Sequence, residues 1–132
     1  MKKIFAIVLL LSLCLSLVGC DKYYSSYSAL ASVRSNTADK AYLSFASLNG
    51  RMVFKLRPSE KSVLKYDTEL GEGRITVSYD TDGAQKELIS LTGEDAKVGD
   101  GITVDKGITV YVIVDAESAK NGKITVNLEE TE

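Results

Sequence analysis

The chain has no histidine and no tryptophan, a single proline and only two cysteines among its 132 residues. Without histidine, nucleophilic triads of the Ser-His or Cys-His kind are excluded, and so are imidazole metal sites. Both cysteines, Cys14 and Cys20, lie in the first twenty residues, so the rest of the chain can hold no thiolate cluster and no disulfide. An enzyme would have to work with a carboxylate pair or a serine-lysine arrangement. The carboxylates are many, but most fall in or beside expected turns, where solvated acidic side chains belong in any case. The chain therefore reads as non-catalytic, and its composition implies no cofactor. Charge is also short on one side, with 16 basic against 18 acidic residues and a net charge of −2. No stretch is densely basic, which argues against nucleic acid as a partner and against an electrostatic hold on anionic lipid.

What the chain does contain begins at its start. Lys2 and Lys3 form a short positive head, residues 4–18 are uncharged and mostly apolar, and Gly19 is a small residue at the exit. That is the layout of a secretory signal, and the apolar run is too short for a comfortable membrane span of about 20 residues. Leu17-Val18-Gly19-Cys20 resembles the lipobox of bacterial lipoproteins. The resemblance implies that residues 1–19 are removed by signal peptidase II and that Cys20, carrying a diacylglyceryl group, becomes the first residue of the mature chain. Two acyl chains hold a protein firmly where one does not. The partner so implied is a membrane, reached through lipid on Cys20, with the protein on the extracytoplasmic side of the cell membrane. Asp21 resembles the inner-membrane retention signal of enterobacterial lipoproteins; in a Gram-positive cell it would carry no such meaning. The same layout without lipidation would be an ordinary secretory signal that leaves one free thiol.

Residues 20–40 are rich in serine and tyrosine and show no period of two, which predicts a tether lifting a domain off the bilayer. Tyr23, Tyr24 and Tyr27 could alternatively form an interfacial aromatic cluster or a sugar-stacking patch. Residues 41–132 change character. Ile75, Val77 and Tyr79 alternate with Arg74, Thr76 and Ser78; Ile124, Val126 and Leu128 alternate with Lys123, Thr125 and Asn127; Met52, Phe54 and Leu56 alternate with Arg51, Val53, Lys55 and Arg57. Each set predicts a strand with one wet face. Residues 108–114 are apolar on both faces and suit a central strand, and weaker strands are expected at 41–48, 61–66, 86–91 and 97–104. The turn chemistry of DTDG at 80–83, DKG at 105–107 and AKNG at 119–122 predicts antiparallel connections, and Pro58 falls between two strands. Links this short leave no room for crossover helices. The fold class is all-β, a single antiparallel β-sandwich of immunoglobulin-like or jelly-roll type with about eight short strands.

Three groups of side chains are candidates for a site. Asp80 and Asp82 of DTDG begin a calcium-loop pattern but lack the glutamate at its twelfth position, which is Leu91. Together with GEDAKVGDG at 93–101 they could form a composite acidic site; ordinary hairpin turns explain both segments. Arg51, Lys55 and Arg57 could receive an anionic ligand or an acidic partner, though charges on an exposed strand also prevent edge aggregation. Tyr42, Tyr66 and Tyr111 could form a platform for sugars. The leading functional reading is a lipid-anchored, non-catalytic interaction module with a protein partner at the cell envelope or surface. A small-ligand or carbohydrate-binding sandwich is the alternative, placed second because aromatic residues outside the tether are few.

Overall fold

The computed structural model describes residues 23–131, and the lipobox reading of Cys20 lies outside them. The alternation at 51–57 is one half of a strand much longer than expected, β3 (Lys40–Leu56), which absorbs the separate strand expected at 41–48. Its antiparallel partner is β8 (Val110–Glu130), in register from Lys40↔Asn127 to Leu56↔Val110. Six shorter strands flank this ribbon: β1 (Ser26–Leu30), β2 (Val33–Asn36), β4 (Ser62–Leu70), β5 (Glu72–Asp80), β6 (Lys86–Thr92) and β7 (Asp95–Val104). All described pairs are antiparallel and belong to one eight-stranded sheet.

Both long strands bend, and the bend makes the sandwich. In β3 the register shifts between Leu48 and Gly50. Gly50 adopts φ 112°, and a Cβ there would lie 2.4 Å from the carbonyl oxygen of Ser26, so the crossing needs glycine. In β8 the bend falls at Ser118 and Asn121, with φ of 47° and 54°. AKNG is therefore not the hairpin turn its Asn-Gly pair suggested. Because β3 offers ladder partners on both sides of the kink, the positive-φ residues re-aim one continuous strand instead of ending it. Gly122 completes the corner: the Phe45 ring occupies the space where its Cβ would stand, 2.2 Å from Cζ.

On one side of the bend, β2 flanks β3 while β4 and then β7 flank β8; on the other side, β1 flanks β3 while β5 and then β6 flank β8. Both halves turn their apolar faces into one core, with Leu43, Phe45 and Leu64 from the first and Met52, Phe54, Ile75, Val77, Val112 and Val114 from the second. Burying each such large side chain contributes about 1.5–3 kcal/mol. The DKG turn joins strands that do not pair with each other: β7 lies beside β4, and the turn carries the chain across to the start of β8 in the other half. Gly107 N–H donates to the Pro58 carbonyl at that crossing.

The predicted tether is corrected by β1 and β2. Ser26–Leu30 and Val33–Asn36 are strands, each paired with β3. Their serines and asparagine masked a strand that the edge of β3 requires, since an open row of backbone donors and acceptors favours a partner. Asn36 closes the seam between the two halves. Its Oδ1 accepts from Lys55 N–H at 3.0 Å and its Nδ2 donates to Lys55 C=O at 2.9 Å, which is what a neighbouring peptide group would do.

Candidate functional site

The outer face of the second half presents side chains in rungs, because directly paired residues of an antiparallel ladder share a face. Arg51 lies opposite Asp115, Val53 opposite Ile113, and Lys55 opposite Tyr111. The ladder continues into β5, with Asp115 opposite Thr76, Ile113 opposite Ser78, and Tyr111 opposite Asp80. Met52, Phe54 and Leu56 point the other way, into the core, as their alternation predicted.

Two of these rungs hold charge. Arg51 grips Asp115 with two hydrogen bonds, Nε to Oδ1 at 2.7 Å and Nη2 to Oδ2 at 3.1 Å. The hydrogen bond to Asp115 pushes Arg51 above the ordinary guanidinium value, against a smaller opposing effect of burial. Lys55 places its ammonium 5.3 Å from the centre of the Tyr111 ring.

The segment before β1 lies across this face. Tyr23 tilts its ring against Tyr111, with centroids 5.3 Å apart, and donates its hydroxyl to Asp80 Oδ2 at 2.6 Å. Asp80 Oδ1 accepts from the backbone N–H groups of Asp82 and Gly83, so DTDG is a capped hairpin turn between β5 and β6. Ser78, Asp80 and Ile113 are buried although they sit on this outer face. That burial is the cover which the doubly apolar run 108–114 anticipated. Tyr24, in contrast, is 77% exposed.

Tyr23 and Tyr24 wall two open concavities. One of about 340 Å³ also touches Arg34, Val53, Lys55 and Tyr111; the other, about 280 Å³, touches Ser26 and Arg51. Arg34 stacks on Phe54, its Cζ 4.5 Å from the ring centre, and donates to the Val53 carbonyl. The surface thus joins an exposed aromatic face to a donor-acceptor rung, with cationic and anionic groups interleaved. A larger cleft of about 740 Å³ lies elsewhere, at the β4–β5 turn. Glu69, Glu72, Glu94 and Asp95 line it without an aromatic side chain; Glu72 is 3.8 Å from Lys120 and Asp95 is 3.7 Å from Lys97. Among the described residues no group of three acidic, cysteine or histidine side chains is arranged to hold a metal ion.

The candidates from sequence are only partly brought together. Arg51 and Lys55 share the face with Tyr111, whereas Arg57 lies beyond the end of β3, where its backbone N–H donates to Ala38. The three-tyrosine platform does not form. Tyr42 belongs to the other half, opposite Thr125, and Tyr66 packs against the core. The composite acidic site does not form either, because β5 and β6 place 80–83 and 93 at opposite ends of their hairpin. Asp82 lies 3.5 Å from Lys86. Sequence reasoning missed Asp115 and the docking of Tyr23 and Tyr24. Asp115 was legible, since 111, 113 and 115 share one phase of the alternation; the docking was not, since Asp80 lies 57 residues from Tyr23.

No family model and no curated protein matches the chain. Solved structures similar to it include TmCBM61 in complex with β-1,4-galactotriose, at 11% identity and a TM-score of 0.40, covering 82% of this chain and 69% of that one. The GH26-CBM35 β-(1,4)-mannanase of Podospora anserina is similar at 12% identity and a TM-score of 0.43, covering 82% of this chain and 28% of that one. The CENP-C cumin domain of Drosophila melanogaster is similar at 17% identity and a TM-score of 0.27, covering 72% and 71%. None of these likenesses assigns a ligand to this chain.

Proposed function

We propose that the chain is a non-catalytic binding module that takes a carbohydrate beside Tyr24 and is held at the extracytoplasmic side of a membrane by lipid on Cys20. The observation that carries the binding part is the exposed Tyr24 ring sharing one concavity with Arg51. Tyrosine offers an apolar body with a polar tip, suited to the C–H face of a sugar ring. The Arg51–Asp115 rung supplies donors and acceptors together, which fits hydroxyl groups better than a bare anion, since Asp115 and Asp80 repel the latter. A shallow, open surface of this kind implies weak binding.

This reverses the order drawn from sequence, where a protein partner came first for want of aromatic residues. The reversal has a physical reason: Tyr23 and Tyr24 belong to the folded body and not to a tether.

A glycan array probed with the secreted Cys20→Ser form tests the reading. Retained glycans should be lost with Tyr24→Ala and kept with Tyr42→Ala. An array without hits, or hits indifferent to Tyr24, overturns the carbohydrate reading in favour of a protein partner. Intact mass of the full chain extracted from membranes tests the anchor, which requires lipid on Cys20.

A further inference from the structure

We infer that the rim formed by β1 and β2 is a bilayer-docking surface, so that the sandwich lies against the membrane instead of standing off it. The inference rests on the proposed lipid at Cys20. Tyr23 is fixed to the body through Asp80 and Tyr111, and only Asp21 and Lys22 separate it from Cys20. Three residue steps span at most about 11 Å. The polar region of each leaflet is about 5–8 Å deep. A lipid on Cys20 therefore brings the start of β1 to the headgroups, with no slack for the domain to lift away.

The rim at that point is built for such a place. Tyr27, Leu30 and Val33 are 45%, 69% and 58% exposed, and all three lie on the two strands that follow the anchor. From Tyr23 to Ala38 the sequence holds no carboxylate and one charged residue, Arg34, whose guanidinium is laid over Phe54. Edge strands facing water are normally blunted by charge. The opposite edges follow that rule: β6 carries Lys86 and Glu87, and β7 carries Asp95, Lys97 and Asp100. Val98, though 75% exposed, stands among those charges. The carboxylate-lined cleft likewise lies across the sheet from β1, on the far side of β8. Apolar side chains and a tyrosine on an edge kept free of negative charge suit the interfacial zone of a bilayer.

The test uses the full chain in open membrane fragments, with Leu30→Cys and Val98→Cys as reporters for a water-soluble maleimide, because a lipidated Cys20 has no free thiol. Leu30→Cys should label at least about fivefold more slowly in membranes than after detergent, and Val98→Cys equally in both. Equal rates for Leu30→Cys, with lipid found on Cys20, overturn the docking and leave the anchor standing. Protection that persists in detergent assigns the rim to a second copy or another protein and also overturns it. If intact mass shows no lipid and the chain washes off the membrane, the anchor itself fails and the docking with it.

Discussion

The Tyr23 hydroxyl donates to the Asp80 carboxylate at 2.6 Å, tying the segment before the first strand to a hairpin turn 57 residues away. Asp80 is only 2% exposed, and the donors that meet its carboxylate include Tyr23 O–H and the backbone N–H groups of Asp82 and Gly83. That one contact turns a serine- and tyrosine-rich leader into part of the domain and sets Tyr24 beside Arg51.

Tyr23→Phe keeps the ring and removes the donor. The loss should be about 1–3 kcal/mol, the range for a buried acceptor deprived of one partner. Urea unfolding would show a lower midpoint at unchanged slope. An unchanged midpoint would mean that the segment before β1 does not hold the turn.

Gly122→Ala puts a methyl group where the Phe45 ring lies. Overpacking of this kind costs about 1–3 kcal/mol. The companion Gly122→Ala/Phe45→Leu should recover part of the loss, and a double-mutant cycle reads the coupling. Additive losses would place the strain in the backbone and not in the ring.

Asn36→Ala removes both bonds to the Lys55 peptide group and should cost about 1 kcal/mol, the net value being modest because the site is exposed to water. Asn36→Asp keeps the acceptor for Lys55 N–H but sets a carboxylate oxygen against the Lys55 carbonyl, so it should melt below the natural chain.

Lys65 reaches Glu129 at 3.0 Å and Asp100 at 3.9 Å, and the hydrogen bond with Glu129, followed by the attraction of both carboxylates, raises it above its ordinary value. A raised folded value means that its contribution is full below the ordinary lysine value and fades as pH climbs through the folded one. The stability difference between the natural chain and Lys65→Met should therefore hold steady from about pH 6 to about pH 10 and shrink above about pH 10.4. A difference that instead vanished between about pH 9 and about pH 6 would contradict this assignment.

Much of this was legible in the chain. The phase of Met52, Phe54 and Leu56, of Ile75 and Val77, and of Ile124, Val126 and Leu128 placed their side chains in the core, where they lie. The all-β antiparallel reading followed from that phase and from the short links. Two things were hidden. Period-two reasoning cannot tell a turn from a bend within a strand, so AKNG looked like an end where β8 continues. Nor could local composition reveal β1 and β2, whose serines and asparagine hide the period of two and whose segment closes the β3 edge through Arg34 and Asn36, with Ser25 just before β1. The site inherits the same limit: Arg51 and Lys55 were visible as alternate cations, while their neighbours come from two other places in the chain, Tyr111 and Asp115 from β8 and Tyr23 from the segment before β1.

The proposed function requires that a neutral sugar seat on Tyr24 beside Arg51. The most direct measurement is an NMR titration of the secreted Cys20→Ser form with a panel of neutral oligosaccharides, following backbone and aromatic resonances. Saturable shifts are expected at Tyr24, Ser26, Arg51, Lys55 and Tyr111, with binding weakened at least about tenfold by Tyr24→Ala, which corresponds to about 1.4 kcal/mol. Shifts confined to the cleft of Glu69, Glu72, Glu94 and Asp95, or none for any sugar in the panel, would contradict it.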